Sequence, residues 1–450
     1  MKFLTKLINL DIVVCTAFVF GLIYLLSNIE LNVDLIDPIG KATEDFQTSD
    51  LVYNALRDEP EKDTMITLVN ISTLDRAQLS NFINKLNKHN PKVIGIDARF
   101  FKDKTQYYLD NGLVNGDSLL ELAFDKVENL VLATELDNDS FDEATNRFTN
   151  IKTPLPRFMK KADGAFVNMI TEENDFRVSR KIIPIEFVND SMHLFFPVKI
   201  AQFLDKDKVD KFLNRKKIRE LIDYKLSKQP YDPEYSEKFP EIIYYRGNIN
   251  NFYGETDVFG RKDAFNKIDV GEVIEETFDP KLVTGKALLL GYMGETIIND
   301  KYWDEDKFYT PLNKKFAGKS FPDMYGVVVH ANVVSMILNE TYVTSLSEEW
   351  TFFINILICI LNVILFAYIH NYNKTWWDGL SVVVALVEMV VLYFLVLILF
   401  EYYRIEFDIS DSLAFIFLLG NLLELYYEYF KKWLVSFIIF MSSKLGLRTN

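Results

Sequence analysis

Four apolar runs dominate the sequence, one near its start and three near its end: "DIVVCTAFVFGLIYLLSNI" (11–29), "TFFINILICILNVILFAYIH" (351–370), "LSVVVALVEMVVLYFLVLILF" (380–400) and "SLAFIFLLGNLLELYYEYF" (412–430). A bilayer core of roughly 30 Å takes about 20 helical residues. Inside it a backbone satisfies its polar groups only as a helix or a closed barrel. The four runs are therefore expected to be transmembrane α-helices, with residues 30–349 as one block on one side of the membrane. No small-residue cleavage site follows the first run, and Val14 before Cys15 breaks a lipoprotein signal, so it reads as an uncleaved anchor (1–29). Lys2 and Lys6 precede it, Lys374 lies between the second and third runs, and Lys431, Lys432, Lys444 and Arg448 follow the fourth. The loop 401–411 carries Arg404 among Glu401, Glu406, Asp408 and Asp411. Under the positive-inside rule both termini are cytoplasmic and 30–349 lies outside, with Trp350, Trp376, Trp377 and Trp433 at interface positions. The layout predicts a multi-pass membrane protein: a domain outside the cytoplasm, three C-terminal spans (350–430) and a short cytoplasmic tail (431–450).

The net charge of −15 argues against nucleic acid as a partner, because phosphate binding needs a basic stripe. Cys15 and Cys359 both fall within spans, so no disulfide is expected outside. Four histidines and no Cys/His spacing give no metal site, and no cofactor is expected.

The outer block reads as a mixed α/β domain with a largely parallel sheet and flanking helices. "TMITLVNI" (64–71) is a β-rich run. A helix follows, with Leu79, Phe82, Ile83 and Leu86 at helical spacing, Ser72 or Thr73 as its cap, and Pro91 beyond its end. "KVIGIDARFF" (92–101) and "LVLATEL" (130–136) are further strands, separated by a helix over 116–129 with Leu119, Leu122, Ala123 and Val127 on one face. Strand and helix alternation implies right-handed crossovers and parallel pairing. After Pro156, "GAFVNMIT" and "RVSRKIIPIEFV" read as an antiparallel hairpin, and "FFPVKIAQFL" opens a helix. Residues 205–239, dense in both charge signs, read as a solvated insertion. "EIIYY" (241–245) and "GKALLLGYMG" (285–294) supply further strands.

"PKVIGIDARFF", "DSLLELAFDKVENLVLATEL", "GAFVNMITEENDFRVSRKIIPIEF", "GKALLLGYMG", "DEDKFYTPL" and "YGVVVHANVVSMIL" stand in this order along the chain. In that order they resemble the second type of CHASE (cyclases/histidine kinases associated sensory extracellular) domain. In that family a G-V-x-I-H-A-N element closes the domain ahead of three spans; Gly326, Val327, His330, Ala331 and Asn332 match it. Asn70 stands where members often have aspartate, and "TLDRAQL" replaces a tryptophan/proline/arginine-rich segment, so ligand contacts there do not carry over. The resemblance implies a sensory module. Members usually continue into a kinase, cyclase or diesterase domain, whereas "KKWLVSFIIFMSSKLGLRTN" leaves no room for one and no phosphate-binding loop is present. Output is then expected on another polypeptide.

Candidate site residues follow. Asp97 ends an apolar strand where parallel sheets bind ligands, with Arg99 on the same side. The functional reading is a ligand pocket; the structural one is that Asp97 caps a turn or pairs with Arg99 or Arg177. Gly326, His330 and Asn332 read as structural, with His330 hydrogen-bonded in the core and Asn332 turned away from it. Asp300 and Asp306 read as solvated acids. In the spans, Asn362, Glu388, Asn421 and Glu424 fall at depths of about 14–18 Å, so they share one polar layer. Asn355 and Asn362 face one way. Such groups act as interhelical glue, as a socket for a partner or as a proton path, and the flanking leucines, valines and phenylalanines favour glue or socket because they suggest no wet route. No acid–base or nucleophile set can be assembled, so an enzyme is not expected. Two functions stay open: a sensor working through a membrane partner or a second copy of itself, or a docking subunit of an envelope machine with no small ligand.

Overall fold

The computed structural model describes residues 10–27, 52–53, 57, 61–103, 107–109, 112–170, 178–250, 252, 262–294, 306–313, 322–372, 377–407 and 409–444. The chain divides into two compact units, Asp45–Val343 and Met1–Glu44 with Thr344–Asn450.

The first unit is built on six parallel strands: β1 (Asp63–Asn70), β2 (Val93–Ile96), β3 (Leu130–Leu136), β4 (Asp163–Phe166), β5 (Phe265–Ile268) and β6 (Ala287–Gly291). They lie in the order β5–β1–β6–β2–β3–β4, with the short strand Ile151–Lys152 antiparallel at the end of β3. Val93–Ile96 and Ala287–Gly291 are buried throughout, as parallel strands covered on both faces must be. One face carries α1 (Arg76–Asn87) and α2 (Gly116–Phe124), whose Leu79, Phe82, Ile83, Leu86, Leu120 and Phe124 pack on Ile94, Ile96 and Leu132. The other face carries α3 (Phe196–Leu204). Gly95 makes room for it: a Cβ there would stand 2.4 Å from Ile200 Cδ1 and 2.9 Å from Phe196 Cζ.

Beyond α3 the chain forms α4 (Lys206–Leu213) and α5 (Lys216–Ser227). The solvated insertion expected here is instead a packed lobe. Val209, Phe212, Ile218 and Leu221 form an i, i+3 stripe under the charges, and all four are buried. Lys225 pairs with Glu186 at 2.9 Å in the interior. The helix α6 (Val270–Ile274) joins the α1 face, and α7 (Gly326–Leu338) packs beside α3.

Several boundaries differ from expectation. Asp75 caps α1 through a reciprocal capping box with Gln78, rather than Ser72 or Thr73. Strand β2 stops at Ile96. In α2 the inward face is rotated, so Leu120 and Phe124 are buried while Leu122 is exposed. The hairpin expected across 164–188 does not form: Asp163–Phe166 extends the parallel sheet as β4, and Ile185–Val188 pairs with Ser191–Leu194 instead. Residues 171–177, including Arg177, lie outside the described residues. The edge strand β5 was not anticipated.

The second unit holds the helix Leu10–Ser27, α8 (Glu348–Tyr372), α9 (Trp377–Tyr403), α10 (Ser410–Leu425) and α11 (Lys431–Lys444), with a π-helical turn Tyr426–Phe430 between the last two. Glu349–Tyr372 and Gly379–Tyr403 are long and apolar enough to cross a membrane. Cys15, Val19, Val363, Phe366, Ile416 and Leu419 pack together between the helices. Lys431 Nζ and Tyr426 Oη both reach Asp11, at 2.7 and 2.9 Å, which joins the start of the N-terminal helix to the end of the last apolar run.

Candidate ligand-binding cleft

The carboxyl ends of the parallel strands open into a cleft of about 1060 Å³. Its position follows from the topology. The chain leaves β1 for α1 on one face, and it runs on from β6 to α7 on the other, so connections diverge where β6 lies between β1 and β2. Open α/β sheets bind ligands at such a point.

Asp97 follows β2, its backbone N–H held by Leu290 O of β6 at 2.8 Å. Its side chain is 17% exposed and lines the cleft. Across from it, α7 begins tight against β6. Gly291 permits this: a Cβ there would lie 2.7 Å from Val327 Cβ. Gly326 opens the helix, its N–H bound to Asp306 O at 3.0 Å. One turn on, His330 faces Asp97, with Nε2 at 3.6 Å from Oδ2, beyond hydrogen-bond reach.

His330 is 1% exposed, held between Phe195 and Phe196. Its Nδ1 is buried with no hydrogen-bond partner among the described residues. Burial alone drives its pKa down to about 3, so the imidazole is neutral. Asp97 is pushed up to about 7, first by burial and then by Asp306, against a smaller pull from Arg99. Asp306, expected to be a solvated acid, is half-buried in the lining, and Asp300 lies outside the described residues.

Arg99 lines the same cleft, as expected from its spacing, but it does not pair with Asp97. It is 73% exposed, and its Nε lies 3.0 Å from Glu135 at the end of β3. Arg76, at the start of α1, is fixed by a buried pair with Asp117 and by donation to Lys102 O at 2.6 Å. Asn332 sits on the other side of α7, as the helical angle requires. It accepts from Arg246 N–H (2.7 Å) and Gly247 N–H (3.1 Å) and donates to Gly247 O (3.0 Å) and Val328 O (2.9 Å). Asn70 is also explained: its amide donates to Asp269 Oδ1 at 3.0 Å, where an aspartate would oppose a like charge. Its Oδ1 accepts from Ser72 and Met293 N–H, which fixes two loops at the cleft's rim.

Residues 45–366 match the CHASE2 domain. The chain belongs to the CHASE2 family. No curated protein and no solved structure matches it. CHASE2 is an extracellular sensory domain family, so the sequence elements leading to the resemblance and the fold around them describe a sensory module. The match places Gly326, His330 and Asn332 inside the CHASE2 domain.

The polar residues of the second unit do not gather into one cluster. Asn355 is buried and accepts from Ser412 Oγ at 2.8 Å. Asn362 is buried and donates to Ile358 O of its own helix at 3.0 Å. Glu388 is half-buried on α9, with Oε2 unpartnered among the described residues. Asn421 and Glu424 face outward, because Ile416, Leu419, Leu422 and Leu423 take the inward side of α10.

Sequence reasoning missed Asp306, Glu135 and Tyr292 as lining residues. Tyr292 directly follows β6, as Asp97 directly follows β2, and that signal was available.

Proposed function

We propose that this CHASE2 chain is a multi-pass membrane sensor whose α/β domain, outside a bacterial inner membrane, binds a small ligand in the cleft and acts through a partner. The observation that carries the reading is the cleft at the strand-order switch, with His330 buried and Asp97 part-buried in its wall, neither side chain hydrogen-bonded among the described residues. With a pKa near 3, His330 is too weak a base for proton transfer at neutral pH, which supports a binding role for it. In sequence, α7 leads through residues 339–347 into α8, so the element carrying His330 continues toward the membrane segment. Four spans with both termini cytoplasmic are supported by the lysine distribution and by the Asp11–Lys431 contact, which puts the first span's start beside the last span's end. Outward-facing Asn421 and Glu424 offer polar contacts to a membrane partner or a second copy.

The layout is tested with a membrane-impermeant maleimide on whole cells carrying Lys216→Cys or Arg448→Cys. Lys216 is 91% exposed, and the two native cysteines are buried. Lys216→Cys is expected to label in intact cells and Arg448→Cys only after permeabilisation. The reverse pattern would overturn the sensor reading.

A further inference from the structure

Among the described residues, neither the Asp97 nor the His330 side chain in the cleft wall makes a hydrogen bond. Buried polar groups in folded proteins are nearly always paired, so the unpaired His330 beside the part-exposed Asp97 points to something the chain does not itself supply.

The charge of the lining says what that is. Its bases are already engaged: Arg76 with Asp117, and Arg99 with Glu135. Asp75 caps α1. Among the described residues Asp97 is paired with no base, Arg99 exerting only a small pull on it, and the neighbouring Asp306 adds negative potential at the same place. An anion entering here would be repelled by both carboxyl groups. Tyr292 and Phe308 present aromatic surface in the same lining, which favours a cation further.

We propose that the cleft binds a small organic cation whose ammonium group is held by the Asp97 carboxylate, with the neutral His330 beside it and the Tyr292 and Phe308 rings against its body. This rests on the ligand-cleft reading above and names the class of ligand.

The proposal carries a pH signature. Asp97 holds its proton up to about pH 7, so a cation must displace that proton to bind. Apparent affinity then falls as pH drops below 7, by about tenfold between pH 8 and pH 6. His330 stays neutral across that window. The other charged groups lining the cleft with Asp97 are Asp306, Glu135, Asp75, Arg76 and Arg99.

The test is calorimetric titration of the full-length protein in nanodiscs with phenethylamine, 2-phenylethanol and phenylacetate, which place an ammonium, a hydroxyl and a carboxylate on one scaffold. Phenethylamine is expected to bind at least about tenfold tighter than the alcohol at pH 8, losing about tenfold in affinity by pH 6. Asp97→Asn is expected to abolish the preference. Titration in two buffers of different ionisation enthalpy should show about half a proton released on binding at pH 7, rising toward one at pH 6, a readout that needs no variant. If the alcohol or the carboxylate binds as tightly as the amine, the ligand class is wrong and the cleft reading stands. If none of the three binds, both fall.

Discussion

Asp117→Ala is expected to destabilise the α/β domain by about 3–5 kcal/mol, the usual effect of removing one partner of a buried ion pair. Asp117 and the Arg76 it faces are almost fully buried, with side chains 3% and 5% exposed. Arg76 also stacks over Phe100 and Phe158, with its guanidinium carbon 5.7 and 5.5 Å from the ring centres. Without Asp117 a guanidinium would remain in an aromatic pocket with one backbone carbonyl as its partner. The pair also ties the start of α1 to the start of α2, so the cleft rim should loosen with it. Denaturant unfolding of the full chain in detergent, followed by far-UV circular dichroism, measures the effect. A loss under about 1 kcal/mol would mean that water reaches Arg76 and the pair is a surface one.

The second large effect separates two residues of one motif. Asn332→Ala should cost about 3 kcal/mol, because it strands the part-buried N–H groups of Arg246 and Gly247 and the Gly247 carbonyl and leaves a cavity where the fully buried Asn332 side chain lay. His330→Phe should cost little, since the imidazole makes no hydrogen bond and already lies between Phe195 and Phe196. Paired thermal unfolding curves decide the matter. Equal losses for both variants would mean that His330 is a structural member of the core.

The sequence carried the strands β1, β3 and β6 and the helices α1 and α7 because each has a strong local period or an unbroken apolar run. It did not carry β5. That strand's "FNKI" places Asn266 and Lys267 on an edge, where burial is incomplete and no alternation shows. The stretch around Asp163–Phe166 reads as a strand either way, and nothing local tells a hairpin from a parallel addition to β3. The charged segment 205–239 hid its apolar stripe because helix faces average out in composition. Asp97 was legible as a candidate, since its place after a parallel strand is a topological rule. His330 was not: full burial looks the same in a core and at a cleft wall, and only the folded chain brings it to Asp97. Asp306 was concealed by the acids around it in sequence.

The central claim is that Asp97 serves a ligand at the expense of the fold. Its folded pKa of about 7 lies above the ordinary carboxylate value, so its contribution to stability is fully present below about pH 4 and is lost as pH rises through 7. His330 works the other way: with a folded pKa near 3, it favours the fold above its unfolded value near 6.5, and that contribution is lost as pH falls below this value. Comparing Asp97→Asn with the parent across pH cancels the histidine and isolates the aspartate. The measurement is the unfolding midpoint of both proteins, without ligand, from pH 4 to pH 8.5. The account predicts that Asp97→Asn is more stable than the parent at pH 8, with the gain shrinking steadily below pH 7 and gone near pH 4. A variant less stable than the parent at pH 8 would show that the Asp97 carboxylate is paired within the fold, and would contradict the account.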